Sequence, residues 1–340
     1  MFNEELEKAK YEAEIIELRK AMLNLQGKLI KAKSKHEELA RVVGEAAYEA
    51  VIGLGGVGNV TPPKLDKRKA REVVCLWHLT DWQGGKKTTT YNSDIMVERV
   101  NEFVVKAHKL VEDYRKARPV KECVILFTGD MVEGLFNFPT QPYEVDSSMF
   151  SMYVNVSKLI VETVQKALGI FEKVHVICEY GNHGRLGRKG ELPRENNLDL
   201  MCYELARQLL QHEKRLTWQQ SVEDWQPVVI GNYRAIALHA DEIGRHGFAS
   251  PAAIVAHIQR WQSGSLGFSF FDAYIGHYHT HQSWHLANTG SVYQTGSTES
   301  DNRYAQISLA STARPSQRMH IIDPVKGLVI SEHKIILGGN

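Results

Sequence analysis

Neither sign of charge is in surplus in this chain. Its 41 lysines and arginines stand against 40 aspartates and glutamates, a formal net charge of +1 over 340 residues. No global field draws it to nucleic acid or to a membrane, so any basic surface has to be local. Cysteine is scarce: Cys75, Cys123, Cys178 and Cys202 lie far apart, with no Cys-x-x-Cys pair. Three of them fall in apolar strand-like runs, where a buried, reduced thiol is expected. No apolar run approaches the ~18 residues of a membrane span. The charged N-terminus lacks the apolar core of a signal peptide, so a cytoplasmic protein off the membrane is expected. Repeats and low-complexity tracts are missing as well.

What remains, 43% hydrophobic and 24% charged residues, suits one large or two modest globular domains. Residues 1–52 are helical in character. Ile15, Leu18, Met22, Leu25, Leu29, Ala32, His36, Leu39, Val43 and Ala46 recur at spacings of three and four. That heptad register predicts a coiled-coil helix and self-association, with Gly27 and His36 weakening the seam. Residues 53–71 are a Gly/Pro-rich and then basic linker, ending in Lys64–Arg71. Its glycines follow no strand and precede no Gly-Lys-Ser/Thr, so they are not a P-loop.

From residue 72 to 340, short apolar runs alternate with helical stretches, the sign of a layered α/β domain. Strands are predicted at Val73–Leu79, around Val124–Phe127, at Val174–Cys178, as a pair within Val228–His239 turning at Gly231-Asn232, and at Phe270–Ile275. His320–Asp323 and Gly327–Ile336 follow as closing strands. Helices are predicted over Ser93–Arg118, Ser147–Phe171 and Asn197–His212.

The ends of those runs carry the chemistry. Val124–Phe127 stops at Thr128-Gly129 and Asp130 follows at once. In an open α/β sheet, the carboxyl ends of strands are where ligands bind. Successive runs end in Asp81-x-Gln83, Gly129-Asp130-x-x-Glu133-Gly134, Gly181-Asn182-His183, His239, and Gly276-His277-x-His279. Singly, each is an ordinary cap or turn. Five in this order point to an oxygen- and imidazole-lined metal site, with no thiolate among the donors; such donors suit manganese, iron or zinc.

This order resembles the calcineurin-like metallophosphoesterase superfamily, over about Val73 to Ile336. The resemblance implies a four-layer β-sandwich flanked by helices, with two divalent metal ions at one edge. Asp81, Gln83, Asp130 and His279 would hold the first ion. Asp130, Asn182, His239 and His277 would hold the second, so that Asp130 bridges. Manganese is the first choice, with iron and zinc as alternatives. Paired ions of this kind clamp a phosphate and make a hydroxide nucleophile from water at neutral pH. His183 would be the catalytic histidine beside them, stabilising charge or protonating the leaving oxygen. Two positions depart from the family. Gln83 stands where a histidine is usual, and Gly184 where an acid usually orients the histidine, so here either another acid does so or His183 is less tuned. Glu133 is expected to support the site without holding metal, and Trp82 either to stack on a base or to pack.

Substrate is less sharply marked. The stretch 288–324 is similar to phage and bacterial members that resemble SbcD-type DNA repair nucleases. Arg185, Arg188 and Lys189 form a basic loop after His183 and are the candidate substrate-binding residues. With Lys64–Arg71, Arg314 and Arg318 they would line a DNA path. The expected function is a DNA nuclease, to which SbcD-type enzymes add a partner ATPase. The alternatives are a phosphatase or cyclic-nucleotide phosphodiesterase, and a metal-poor scaffold.

Overall fold

The computed structural model describes residues 57–137, 140–244, 249–287, 289–300 and 313–338. Two units divide the chain, Met1–Ala46 and Ala47–Asn340, and the described residues belong to the second. The predicted coiled coil over 1–52, the start of the linker and parts of the stretch 288–324 lie outside the described residues.

The first sheet is assembled from β1 (Val73–Leu79), β2 (Val120–Thr128), β3 (Lys173–Glu179) and β4 (Leu216–Gln220), joined in parallel. Parallel neighbours need crossovers, supplied here by α1 (Ser93–Arg115), α2 (Met149–Ile170) and α3 (Leu198–Leu209). Each helix starts on a side-chain cap: Asn92 accepts from the Ile95 N–H, Ser148 from that of Ser151, and Asn197 from that of Asp199. The helix predicted to reach Arg118 stops at Arg115. Pro119 accounts for part of this, because it disfavours helical geometry at the residue before it.

A hairpin of β5 (Gln226–Ile230) and β6 (Tyr233–Leu238) opens the second sheet. It continues through β7 (Asp272–Ile275), β8 (Gln282–His285) and β9 (Ser291–Gln294), in the order β5-β6-β7-β9-β8. The chain then returns to the first sheet as β10 (Ser316–Asp323), antiparallel beside β1, and β11 (Leu328–Ile336), antiparallel beside β10. The first sheet therefore runs β11-β10-β1-β2-β3-β4.

Period-two alternation sorts the side chains into layers. Val74, Leu76, Val124, Leu126 and Ile177 of the first sheet pack on Val228, Ala235, Ala237 and Tyr274 of the second. The other face of β1 meets the helices, where the Trp77 ring stands edge-on to Phe103 and Phe171. Behind the second sheet, Ile236, Leu238 and Ile275 pack on Ile254 and Ile258 of α4 (Pro251–Arg260). Helices, sheet, sheet and helix make the four layers expected from the sequence.

Short α4 and the brief strands β4 and β9 were not anticipated. β4, Leu-Thr-Trp-Gln-Gln, is a half-buried edge strand without an apolar run, and β9 has four residues. All four cysteines are buried and free, as expected of reduced thiols.

Candidate metal centre

β1, β2 and β3 are parallel, and so are β6 and β7; the residues that follow all five meet at one edge of the sandwich. The seven residues predicted as ligands come together there. Asp130 Oδ2 lies 3.0 Å from His239 Nε2 and 3.5 Å from the Gln83 amide nitrogen. Asn182 Oδ1 is 3.1 Å from His239 Nε2. His279 Nε2 is 3.3 Å from both Asp81 Oδ1 and the Gln83 amide nitrogen. The His277 backbone N–H donates to Asp81 at 3.0 Å, and its ring stands 5.0 Å from that of His239. One donor atom each from Asp130, His239 and His277 lies within 4.8 Å of the others.

The backbone is bent to bring them there. Among the described residues, seven that are not glycine have positive φ, and five of these are Asp81 (52°), Gln83 (51°), Asp130 (53°), His277 (70°) and His279 (54°). For an L-residue that conformation costs roughly 1–2 kcal/mol, and such strain collects at functional sites. Asp199, in the first turn of α3, holds the loops in place. Its carboxylate accepts the backbone N–H groups of Asp130, Met131, Val132 and Gly181 at 2.8–3.2 Å. Gly181 leaves the space Asp130 needs, since a Cβ there would sit 2.1 Å from Asp130 Oδ1. Gly181→Ala is expected to lower stability by ~1–3 kcal/mol through overpacking and to weaken manganese binding by displacing Asp130. Thermal melts with and without manganese measure both.

The donor set fits divalent metal ions. Carboxylate, amide and imidazole donors suit a borderline or hard cation. His239 Nδ1 donates to the Thr128 carbonyl at 2.7 Å, and His279 Nδ1 stands 3.1 Å from Glu299 Oε2. Both histidines are thereby turned with Nε2 toward the cluster, the arrangement metal-ligating imidazoles adopt. Gln83 Oε1 is buried without a hydrogen-bond partner. A half-turn of the amide, whose two ends differ little in shape, brings that oxygen to face Asp130 and His279.

Without metal the histidines carry the compensating charge. Burial works against a charged His239, but the Asp130 carboxylate outweighs it and pushes the pKa up to about 10. His279 is likewise opposed by burial and raised to about 10 by Asp81 and then Glu299. Burial would raise Asp130, yet His239 and His183 hold it below the ordinary carboxylate range. Metal therefore competes with protons on both imidazoles. The competition is present below the raised pKa values and disappears above them. Manganese affinity is expected to climb as pH rises from 6 to 9, by about tenfold per unit for each proton displaced. Titration calorimetry in buffers of different ionisation enthalpy counts the protons released; a pH-independent affinity would contradict the assignment.

His183 lies beside the cluster and is half-buried. Its backbone N–H donates to Asp130 Oδ1 at 2.7 Å, its Nε2 is 3.9 Å from Asp130 Oδ2, and its Nδ1 is 3.1 Å from Glu133 Oε2. Burial lowers its pKa, but Glu133 and then Asp130 raise it more. Glu133 thus takes the orienting place that Gly184 leaves empty. A Cβ at Gly184 would lie 2.6 Å from Asn197 Oδ1, the cap of α3, so no acid fits there.

Of the two readings of Trp82, packing holds, and other expectations about the surroundings need correction. Trp82 is buried and packs edge-on to Phe127, so it presents no face to a base. Arg318 is buried too, donating to the carbonyls of Gln282 and Gln294, and lines no surface path. The Lys64–Arg71 run lies where β1 begins, at the opposite end from the site: Arg71 pairs with Asp323 and Arg68 with Asp66. Arg185, Arg188 and Lys189 do line a cavity of about 210 Å³. Two of them, however, are engaged within the chain, Arg185 with Asp241 at 2.6 Å and Lys189 with Glu242 at 2.5 Å. Asp199, Glu299 and Lys86 escaped the sequence reading. Asp199 looked like any acid in a first helical turn, and the other two sit in loops whose partners only the fold reveals.

No family model and no curated protein matches this chain. Solved structures do. A dimetal phosphatase from Danio rerio is 10% identical over 78% of this chain and all of its own, with a TM-score of 0.39. A 5'-nucleotidase from Candida albicans is 10% identical over 82% of this chain and 54% of its own (TM-score 0.37). Zinc-bound Vps29 from Entamoeba histolytica is 12% identical over 77% and 98% (TM-score 0.33). Likeness at that level assigns no residue of this chain a role.

Proposed function

We propose that this chain is a dimetal phosphoester hydrolase acting on phosphodiesters. The observation that carries the reading is the meeting of Asp81, Gln83, Asp130, Asn182, His239, His277 and His279 at one edge, with His183 held beside them between Asp130 and Glu133. Bound there, divalent ions would neutralise the phosphate and acidify a water molecule. The chain's own residues do the rest. Asp130 and Asp81 supply the negative charge that retains cations, and Asn182 adds a neutral oxygen. Protonated His183, kept charged by Glu133, faces the phosphate with Nε2. It stabilises the developing negative charge and delivers its proton to the leaving oxygen.

DNA is one candidate substrate, supported by the basic loop that follows His183. Cleavage of DNA, a partner ATPase and self-association through residues 1–52 belong together in that reading. The charge balance of that loop favours a second one, a small phosphodiester: Asp241 and Glu242 offset the charge of Arg185 and Lys189. Labelled single- and double-stranded DNA and bis-p-nitrophenyl phosphate, each with manganese, separate the two. Cleavage of the small diester with intact DNA supports the small-ester reading, and salt-sensitive cleavage of DNA supports the nuclease. Silence on both, with under one ion per chain, would leave a scaffold.

A further inference from the structure

We propose that Lys86 is a positioning residue that sets the orientation of His183 and His279 together; this rests on the hydrolase reading above. Lys86 lies three residues beyond Gln83, in the loop after β1, and its backbone N–H donates to the Gln83 carbonyl at 2.9 Å. Its side chain is 8% exposed. A lysine buried to that degree needs partners for its charge. It has two. Nζ is 3.5 Å from Glu133 Oε1 and 3.6 Å from Glu299 Oε1.

Both glutamates are buried, and each turns its other oxygen to a histidine of the site. Glu133 Oε2 is 3.1 Å from His183 Nδ1, and Glu299 Oε2 is 3.1 Å from His279 Nδ1. The result is a buried chain of alternating charge: His183, Glu133, Lys86, Glu299, His279. It links the histidine that faces the phosphate to one inside the metal cluster. Lys86 touches neither histidine and neither reacting atom.

The ammonium holds both carboxylates in place, each with its other oxygen against a histidine. Without it, two buried carboxylates would face one another with no cation between them, and one would turn away. The histidine behind that carboxylate would then lose the charged group that sits against its Nδ1. Burial would strip Lys86 of its proton, but Glu133, Glu299 and, more weakly, Glu144 hold it charged.

Three variants, Lys86→Met, Lys86→Gln and Lys86→Arg, test the role. They are compared with wild type by manganese calorimetry, by bis-p-nitrophenyl phosphate kinetics and by thermal melts. The Met variant is expected to lose about 10- to 100-fold in kcat with KM within about twofold. One of its manganese sites is expected to weaken by about tenfold, the size of effect typical for a group behind a metal ligand. The Gln variant should fall between, and Arg should recover most of the loss.

Met or Gln variants that fold and match wild type in kcat and manganese affinity would overturn the proposal. So would a change confined to KM, or unfolding of both, which would make Lys86 a purely structural ion pair. If wild type hydrolyses no ester, the hydrolase reading fails, while the calorimetric comparison still decides whether Lys86 governs the cluster.

Discussion

Asp130→Asn is expected to lower phosphodiester hydrolysis by about a thousandfold or more, equivalent to ~4 kcal/mol of transition-state stabilisation. The substitution keeps shape and removes charge. Asp130 stands at the centre of the cluster, with Oδ1 accepting the His183 N–H and Oδ2 within 3.0 Å of His239 and 3.5 Å of Gln83. Its own N–H is fixed by Asp199, so the position of the side chain should survive. What is lost is the negative charge shared by both proposed ion sites, and manganese content is expected to fall with activity. The metal-free protein reports the same charge through stability. A carboxyl whose folded pKa is depressed stabilises above its unfolded value near 4, and that contribution is lost as pH falls through the folded one. Wild type without metal should therefore melt above Asp130→Asn at pH 7, the gap narrowing as pH drops below about 4. Full activity in a folded Asn variant would contradict the assignment.

The second large effect is expected at His183, and its form differs. His183→Ala should lose about 10²- to 10⁴-fold in kcat, the range for a general acid, while still binding manganese like wild type. The contrast follows from how His183 meets the cluster. Its short contact with Asp130 is a backbone N–H, which alanine retains, whereas the imidazole pairs with Glu133. Because Glu133 and Asp130 raise the His183 pKa against burial, its proton persists to higher pH than that of an ordinary histidine. Activity that depends on it should decline at alkaline pH, and the Ala variant should lose that decline. A variant that keeps kcat, or loses its metal, would show that His183 supports the cluster without acting on substrate. Paired measurements of metal content and kcat separate these outcomes.

Much of this site is legible because strand ends are local features. Val73–Leu79 is apolar but for His78, Val124–Phe127 is an unbroken apolar run, and the polar residues that follow each fall at the sheet edge. The histidines after β6 and β7 follow the same rule, and the topology gathers them. Other parts depend on contacts between distant segments. Glu133 could be recognised as a supporting acid, but not as the partner of His183, until the loop after β3 folded over it. Gly184 read as a missing acid; the fold shows a helix cap filling the space. The basic loop read as a surface for DNA because Asp241 and Glu242, more than fifty residues away, are what neutralise it. Arg318 looked like a surface cation because a single arginine in a strand does not announce burial between two sheets. Local pattern thus marked the residues that meet at the sheet edge, and long-range pairing set their surroundings.

The central claim is a two-ion centre built from these seven residues. Calorimetric titration of the metal-free protein with manganese at pH 8 tests it most directly. The account predicts two ions per chain in wild type, and a loss of at least one in Asp130→Asn. A wild-type stoichiometry below one, or one unchanged by Asp130→Asn, would contradict it.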